Sequence, residues 1–125
     1  MSKQAVAPAI TGVPVDAPCC PPIAEHRIPA ETAAALAPAF KALGDPVRLQ
    51  LMSMIASAPA GEICVCELTP AFELSGPTIS HHLKTLREAG LVDADRRGTW
   101  VYYRTRPGIL RQLAALLSVE MPATA

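Results

Sequence analysis

The sequence predicts a mainly α fold of the α+β class, a winged helix-turn-helix whose wing is a β-hairpin. Apolar residues recur at helical spacing over residues 30–90, where a short helix, a turn and a longer helix follow one another. Directly after that pair, two short runs with β-branched and aromatic residues flank a turn, a pattern typical of a β-hairpin.

The first helices have clear start and stop signals. In "ETAAALAPAFKALG" the apolar spacing continues to Gly44, a natural stop, although Pro38 should either start or kink this helix. "DPVRLQLMSMIASAP" places Asp45 as the N-cap and Pro46 at the first helical position of the second helix. A short third helix is expected over about residues 65–72.

The fourth helix and the hairpin complete the motif. In "SGPTISHHLKTLREAG" we expect Ser75 to be the N-cap and Gly90 the stop signal. "LVDADRRGTWVYYRT" follows as the hairpin, with its turn at Arg96-Arg97-Gly98. "PGILRQLAALLSVEM" then forms a last amphipathic helix.

The 125 residues fit one domain better than two. Residues 1–29 hold six of the thirteen prolines and predict a flexible arm, residues 30–120 the folded domain, and residues 121–125 a tail. No apolar run approaches the roughly 18–20 residues of a membrane span, and the N-terminus lacks a secretory layout, so we expect a cytoplasmic protein without a membrane partner. In a reducing cytosol, the four cysteines are expected to bind metal or sense redox state.

The fourth helix and the wing predict contact with double-stranded DNA. The formal net charge of the chain is zero, but residues 76–106 hold six basic and three acidic residues, a local +3. Ile79, Leu83 and Leu86 should face the core, and His82 should be a packed, hydrogen-bonded structural residue. An ordinary amphipathic surface helix is the alternative, which the basic wing tip disfavours. The candidate DNA-binding residues are Thr78, Ser80, His81, Lys84, Arg87, Arg96 and Arg97.

Four stretches, "FKALGDPVRLQLM", "ICVCEL", "PTISHHLKTLREAGLV" and "RRGTWVYY", resemble successive motifs of the ArsR family of metal-responsive transcriptional repressors, over about residues 34–118. The resemblance, greatest to the arsenical-sensing members, implies a homodimer built on the first and last helices. It also implies an inverted-repeat operator and release from DNA on metal binding. The family often has Gln after the Ser that opens the recognition helix, where this chain has Gly76.

Cys64 and Cys66 are the first candidate metal ligands. On an ideal helix their side chains would point about 200° apart, but at an extended helix start they can converge on one ion. Thiolates prefer soft, thiophilic ions, and a bound ion would reshape the segment that leads into the helix-turn-helix. The alternative is that one or both are small buried residues.

The remaining metal ligands are expected to come from the N-terminal arm. As(III) typically takes three thiolates, and in this chain only Cys19 and Cys20 remain to supply the third. Three thiols suit As(III) or Sb(III), whereas all four suit Cd(II), Zn(II) or Pb(II). The alternative for Cys19 and Cys20 is a solvated pair in a disordered tail.

Two other classes of protein compete with a metal sensor. One is a repressor of the same fold whose cysteines sense oxidation. The other is a thiol-redox enzyme or a metal carrier that does not bind DNA, which the helix-turn-helix and the wing disfavour. No catalytic triad, phosphate loop or carboxylate pair is evident, so the sequence predicts no enzyme.

Overall fold

The computed structural model describes residues 22–119. Its elements follow the predicted order and confirm the winged helix-turn-helix, with one additional strand. In chain order they are α1 (Ala30–Leu43), α2 (Pro46–Ala56), β1 (Ile63–Cys64), α3 (Val65–Leu68), a 3-10 turn (Thr69–Ala71), α4 (Gly76–Glu88), β2 (Val92–Arg97), β3 (Trp100–Thr105) and α5 (Pro107–Leu117). Over residues 22–119, no helix combines the length and the apolar character that crossing a bilayer requires.

The chain divides into two compact units. One unit is Pro38–Arg106, which contains the helix-turn-helix and the sheet. The described part of the other consists of residues 22–37 and 107–119, in which the Ile23 N–H donates to the Leu116 carbonyl at 2.9 Å.

Pro38 lies inside α1 rather than at its start. The helix begins at Ala30 and includes Pro38, so a start at Pro38 is wrong. A proline inside a helix removes one backbone hydrogen bond, the bond to the carbonyl four residues earlier. That carbonyl belongs to Ala34, which is exposed, so water can replace the lost donor.

The inner face of α4 is fully buried, as its apolar spacing predicts. Ile79, Leu83 and Leu86 each have no exposed surface. Helix α4 packs against α2 and β2, which contribute further fully buried side chains, among them Leu51 and Val92. The opposite, polar face of α4 is thereby turned to solvent.

Both predicted N-caps are confirmed. The Asp45 carboxylate accepts hydrogen bonds from the backbone N–H groups of Val47 at 3.0 Å and Arg48 at 3.1 Å. The Ser75 hydroxyl accepts one from the Thr78 N–H at 3.2 Å. Gly90 ends α4 with a φ of 81°, the left-handed conformation expected of a glycine stop signal.

The turn of the wing begins two residues later than the sequence predicts. Arg97 pairs with Trp100 in the ladder, so Arg96 and Arg97 belong to β2, and the turn consists of Gly98 and Thr99. The predicted turn at Arg96-Arg97-Gly98 is therefore wrong. Gly98 has a φ of 65°, and a two-residue hairpin turn needs such a positive φ, which glycine adopts at no steric cost.

Strand β1 was not predicted. It pairs antiparallel with β3, with Ile63 opposite Tyr103 and Cys64 opposite Tyr102, and gives a three-stranded sheet of order β1-β3-β2. The short helix expected over 65–72 is α3 followed by the 3-10 turn. Pro70 accounts for the difference, because it has no N–H to donate to the carbonyl of Cys66 four residues earlier.

Candidate thiolate site and DNA-binding surface

Cys64 and Cys66 come together where β1 ends and α3 begins. Cys64 is the N-cap of α3, with extended backbone (φ −73°, ψ 144°), and its side chain is buried. Its Sγ accepts a hydrogen bond from the Cys66 N–H at 3.2 Å. The Cα atoms are 5.1 Å apart, and the structure joins the two Sγ atoms in a disulfide. The extended backbone at the start of α3 thus brings the two sulfurs together, as expected for a cysteine pair at a non-helical start.

The described residues include two of the four predicted metal ligands, Cys64 and Cys66. Over residues 22–119, no group of three or more His, Cys, Asp or Glu side chains is placed to hold an ion. Once their disulfide is reduced, Cys64 and Cys66 offer two thiolate donors there. Cys19 and Cys20 lie outside the described residues, and their participation stays a prediction.

The predicted DNA-binding face of α4 is open to solvent. All five of its candidate residues are exposed, and they stand opposite the buried apolar face. Lys84 lies 3.9 Å from the Glu88 carboxylate one turn later, and the Thr78 hydroxyl lies 2.9 Å from that of Ser75. Their contact with DNA stays a prediction. The exposed residues are Thr78, Ser80, His81, Lys84 and Arg87.

His82 is the structural residue that the sequence predicts. Its side chain is 16% exposed, and its Nδ1 lies 3.2 Å from Nη1 of Arg48 and 3.9 Å from the Asp45 carboxylate. Since arginine only donates, Nδ1 accepts this bond and the proton of the neutral ring is on Nε2. Arg48 also donates to the Ala42 carbonyl at 2.6 Å. The hydrogen bond from the Arg48 backbone N–H, together with the charge of Arg48, lowers the pKa of Asp45.

Arg97 is held within the wing by two carboxylates and one ring. Its Nη1 and Nη2 donate to the two oxygens of Glu62 at 2.5 and 2.8 Å, and its Nε donates to Asp95 at 3.0 Å. The guanidinium carbon lies 4.4 Å from the centre of the Tyr102 ring. The hydrogen bond from Arg97 lowers the pKa of Glu62, and both carboxylates raise the pKa of Arg97.

The two arginines of the wing therefore differ. Arg96 is exposed and forms no ion pair with residues 22–119, so its charge is available to a phosphate. To contact a phosphate, Arg97 would have to share or break its ion pairs with Glu62 and Asp95. Sequence reasoning did not find Glu62 as a partner, because the two residues are 35 positions apart and β1 was not predicted.

Comparison with known proteins identifies the family. Residues 45–94 match the family model described as bacterial regulatory protein, arsR family. The arsenical resistance operon repressor of Bacillus subtilis is 44% identical over 82 residues, which cover 66% of this chain and 73% of that protein. The chain belongs to the ArsR family.

Further relatives agree with this assignment. The arsenic resistance transcriptional regulator ArsR1 of Pseudomonas putida is 50% identical over 78 residues, 62% of this chain and 59% of that protein, so this alignment spans less than two thirds of the relative. A homodimeric winged helix-turn-helix DNA-binding domain from Mycobacterium bovis, solved by NMR and described as a possible ArsR-family regulator, superimposes with a TM-score of 0.56. It is 34% identical over 71% of this chain and 82% of that chain.

Membership in the ArsR family sets the class of function. The chain thus belongs to a family of DNA-binding regulatory proteins rather than enzymes, and relatives of it are named as regulators or repressors of arsenic or arsenical resistance. The matched residues 45–94 include the cysteine pair and the whole of α4. They also include Gly76, the first residue of α4.

The Ser75 cap yields a prediction about the stability of the ArsR-family domain. Ser75→Ala removes the acceptor of the Thr78 N–H at the start of α4 and should lower the free energy of unfolding by about 1 kcal/mol. Urea denaturation followed by circular dichroism measures the change. Ser75→Asp retains an acceptor and serves as the control, and equal midpoints for Ser75→Ala and the parent protein would contradict the cap.

Proposed function

We propose that the chain is a cytoplasmic metalloregulatory repressor that binds an inverted-repeat operator as a homodimer when metal-free. As(III) or Sb(III) binds its cysteine thiolates and releases it from DNA, which derepresses a resistance operon. The observation that carries this proposal is the convergence of Cys64 and Cys66 on one side of the chain at the start of α3. The arsenical resistance functions in the names of the relatives support it.

The chemistry of the donors favours a soft ion. Two thiolates from one subunit form a chelate, and As(III) and Sb(III) bind a third sulfur, which Cys19 or Cys20 of the arm supplies from the same chain or from the other subunit. The alternative is Cd(II), Pb(II) or Zn(II), for which all four thiolates complete a tetrahedral site.

Binding acts on DNA through the position of α4. Helix α3 follows Cys64 directly, and only the 3-10 turn and residues 72–75 separate it from α4. Two recognition helices of a dimer must be about one DNA turn apart to bind together. The homodimeric M. bovis domain supports a dimer for this chain as well. An ion that reshapes the start of α3 therefore alters the spacing on which operator binding depends.

The exposed residues of α4 and the wing have two different roles in operator binding: some contact bases and others contact phosphates. Thr78, Ser80 and His81, on the first turns of α4, read base edges in the major groove. Basic side chains neutralise phosphates and fix the register of the protein on the duplex. These phosphate-binding residues are Lys84, Arg87, Arg96 and Arg97.

Arg96 provides a test of the wing contact. Arg96→Gln should weaken operator binding and reduce the magnitude of the slope of log affinity against log salt by about 1.8, because each of the two subunits of the dimer loses one phosphate contact worth about 0.9. Fluorescence anisotropy with operator DNA between low and moderate salt measures the slope. Arg27→Gln, at an exposed arginine that precedes α1, is the control with the same charge change. An unchanged slope for Arg96→Gln would show that this side chain does not reach the backbone.

A panel of ions tests the proposed function itself. The reduced protein on its operator should be released by As(III) and Sb(III) at lower concentrations than by Cd(II), Pb(II) or Zn(II). Anisotropy gives the release, and the ultraviolet absorbance of metal–thiolate bonds gives the binding in the same titration. Release at lower concentrations of Cd(II) or Pb(II) would favour the four-thiolate design, and no release by any ion would refute a metal sensor.

The disulfide between Cys64 and Cys66 favours one second candidate, a repressor that senses oxidation. A peroxide would join the two thiols, taking two electrons and two protons and giving water, and a thiol reductant would restore them. The same operator assay separates the candidates. Release by peroxide that dithiothreitol reverses, with no response of the reduced protein to As(III), would support the redox sensor.

A further inference from the structure

The cysteine pair is part of the same sheet as the wing. Strand β1, which contains Cys64, pairs with β3, and Cys64 stands opposite Tyr102 in the register. The next pairing of β3, with β2, places Tyr102 opposite Asp95 and Trp100 opposite Arg97. Tyr102 is thus the direct ladder partner of Cys64, a proposed metal ligand, on one side and of Asp95 in the wing on the other.

Side chains reinforce this connection. Glu62 immediately precedes β1 and binds Arg97 of β2 through both of its oxygens, although β3 lies between the two strands. Arg97 is held from two further directions, by the Asp95 carboxylate and by the Tyr102 ring. We call Glu62, Asp95, Arg97 and Tyr102 the wing clamp.

The wing clamp fixes orientation more than it adds stability. Arg97 and Glu62 are partly exposed, with 47% and 26% of their side-chain surface accessible, and ion pairs near the surface contribute little to the free energy of unfolding. A two-bond arginine–carboxylate contact is planar, however, and sets the relative position of its partners. A displacement of Glu62 therefore changes the position or the availability of Arg97.

We infer that Glu62 is a positioning residue that transmits metal binding at Cys64 and Cys66 to the wing through Arg97. The inference rests on the proposed function and deepens it, because it adds the wing to α4 as a second route from the thiolates to DNA. An ion that reshapes the backbone around Cys64 displaces Glu62, two residues earlier. Arg97 then shifts, and the wing no longer presents Arg96 to the operator in register with α4.

The chain has a natural reporter for this movement. Trp100 is its one tryptophan, it pairs with Arg97 beside the turn of the wing, and it is 53% exposed. Tryptophan emission therefore reports the surroundings of the wing alone. If the wing clamp connects the two sites, As(III) binding should change the emission of Trp100.

The test compares Glu62→Gln with a matched control. Glu67→Gln makes the same change in charge one residue after Cys66, at an exposed position without an ion pair among residues 22–119. For each reduced variant, operator affinity is measured without As(III) and at saturation, and As(III) binding is followed by thiolate absorbance and by Trp100 emission. Arg97→Gln and the Glu62→Gln/Arg97→Gln double variant complete a double-mutant cycle.

Glu62→Gln should bind As(III) with the stoichiometry of the parent protein. The ratio of operator affinities without and with As(III) should fall by about five- to tenfold, within the range of allosteric couplings, and the Trp100 response should be lost. Arg97→Gln and the double variant should show the same reduced ratio, since the two residues act through each other. Glu67→Gln should match the parent.

The inference would be overturned if Glu62→Gln matched Glu67→Gln both in the ratio of operator affinities without and with As(III) and in the Trp100 response. In that case, release of the parent protein by As(III) would still leave the proposed function in place. Additive effects in the cycle would also overturn it, because they would show that Glu62 does not act through Arg97. If As(III) binds the parent without releasing the operator, the proposed function fails. If As(III) still changed the Trp100 emission of that parent protein, and Glu62→Gln lost this change, the connection from the thiolates to the wing would still be supported.

Discussion

Replacing Cys64 by serine should abolish the release of operator DNA by As(III) and leave operator binding by the metal-free protein within about twofold. The ratio of operator affinities without and with As(III) should fall to about 1, where allosteric proteins typically show about 5- to 150-fold. The serine hydroxyl is a poor ligand for a soft ion, so the chelate with Cys66 that reshapes the start of α3 is lost, although three thiols remain in the chain. Anisotropy with operator DNA over an As(III) titration measures both quantities.

The local structure explains why the fold should tolerate this change. Cys64 is the N-cap of α3, and its Sγ accepts the hydrogen bond of the Cys66 N–H. Serine is among the residues preferred at an N-cap, and its hydroxyl can accept the same bond. The side chain is 2% exposed, so a larger substitution would test packing rather than metal binding. Serine at position 64 therefore separates the role of the thiolate from the role of the cap.

The matched control for Cys64→Ser is Cys19→Ser. It also exchanges one thiol for a hydroxyl, but Cys20 remains to complete three-thiolate coordination of As(III). Cys66→Ser should behave like Cys64→Ser, because each contributes one sulfur to the same chelate. A normal As(III) response of Cys64→Ser would show that the convergent thiols are not the sensor, and the proposed function would have to be abandoned.

The helices and their ends could be predicted because their signals are local. Asp45 and Ser75 each cap a helix through backbone groups two or three residues away, and Gly90 ends α4 through its own φ. The buried face of α4 follows from apolar residues at helical spacing, and the inward position of His82 follows from the same period. In all these cases one stretch of sequence holds the whole signal.

The connection between the cysteine pair and the wing could not be predicted, because it depends on non-local pairing. Strand β1 has two residues, too few to show an alternating pattern, and its partner Tyr102 is 38 positions after Cys64. The ion pair of Glu62 with Arg97 exists only because that pairing is made. The cysteine spacing indicated convergence, but nothing near it in the sequence indicated that the convergent site is one edge of the wing sheet.

Replacing Cys19 and Cys20 together by serine should weaken the As(III) response strongly without affecting operator binding. Only two thiolates per subunit would remain, and As(III) would lose one of its three sulfur ligands. The As(III) concentration for half-release should rise by at least about tenfold, since even changes to residues around a metal site commonly cost 10- to 100-fold in affinity. The same anisotropy titration, with thiolate absorbance for stoichiometry, measures the change.

The single arm variants separate the two designs of the site. If three thiolates bind As(III), Cys19→Ser and Cys20→Ser should each respond nearly as the parent protein does, because the remaining arm thiol can substitute. If the physiological ion is Cd(II) or Pb(II) and takes all four sulfurs, each single variant should lose sensitivity to that ion. A double variant that responds to As(III) at the parent's concentrations would exclude the arm from the sensor. The site would then consist of Cys64 and Cys66 alone, since these are the remaining thiols of the chain.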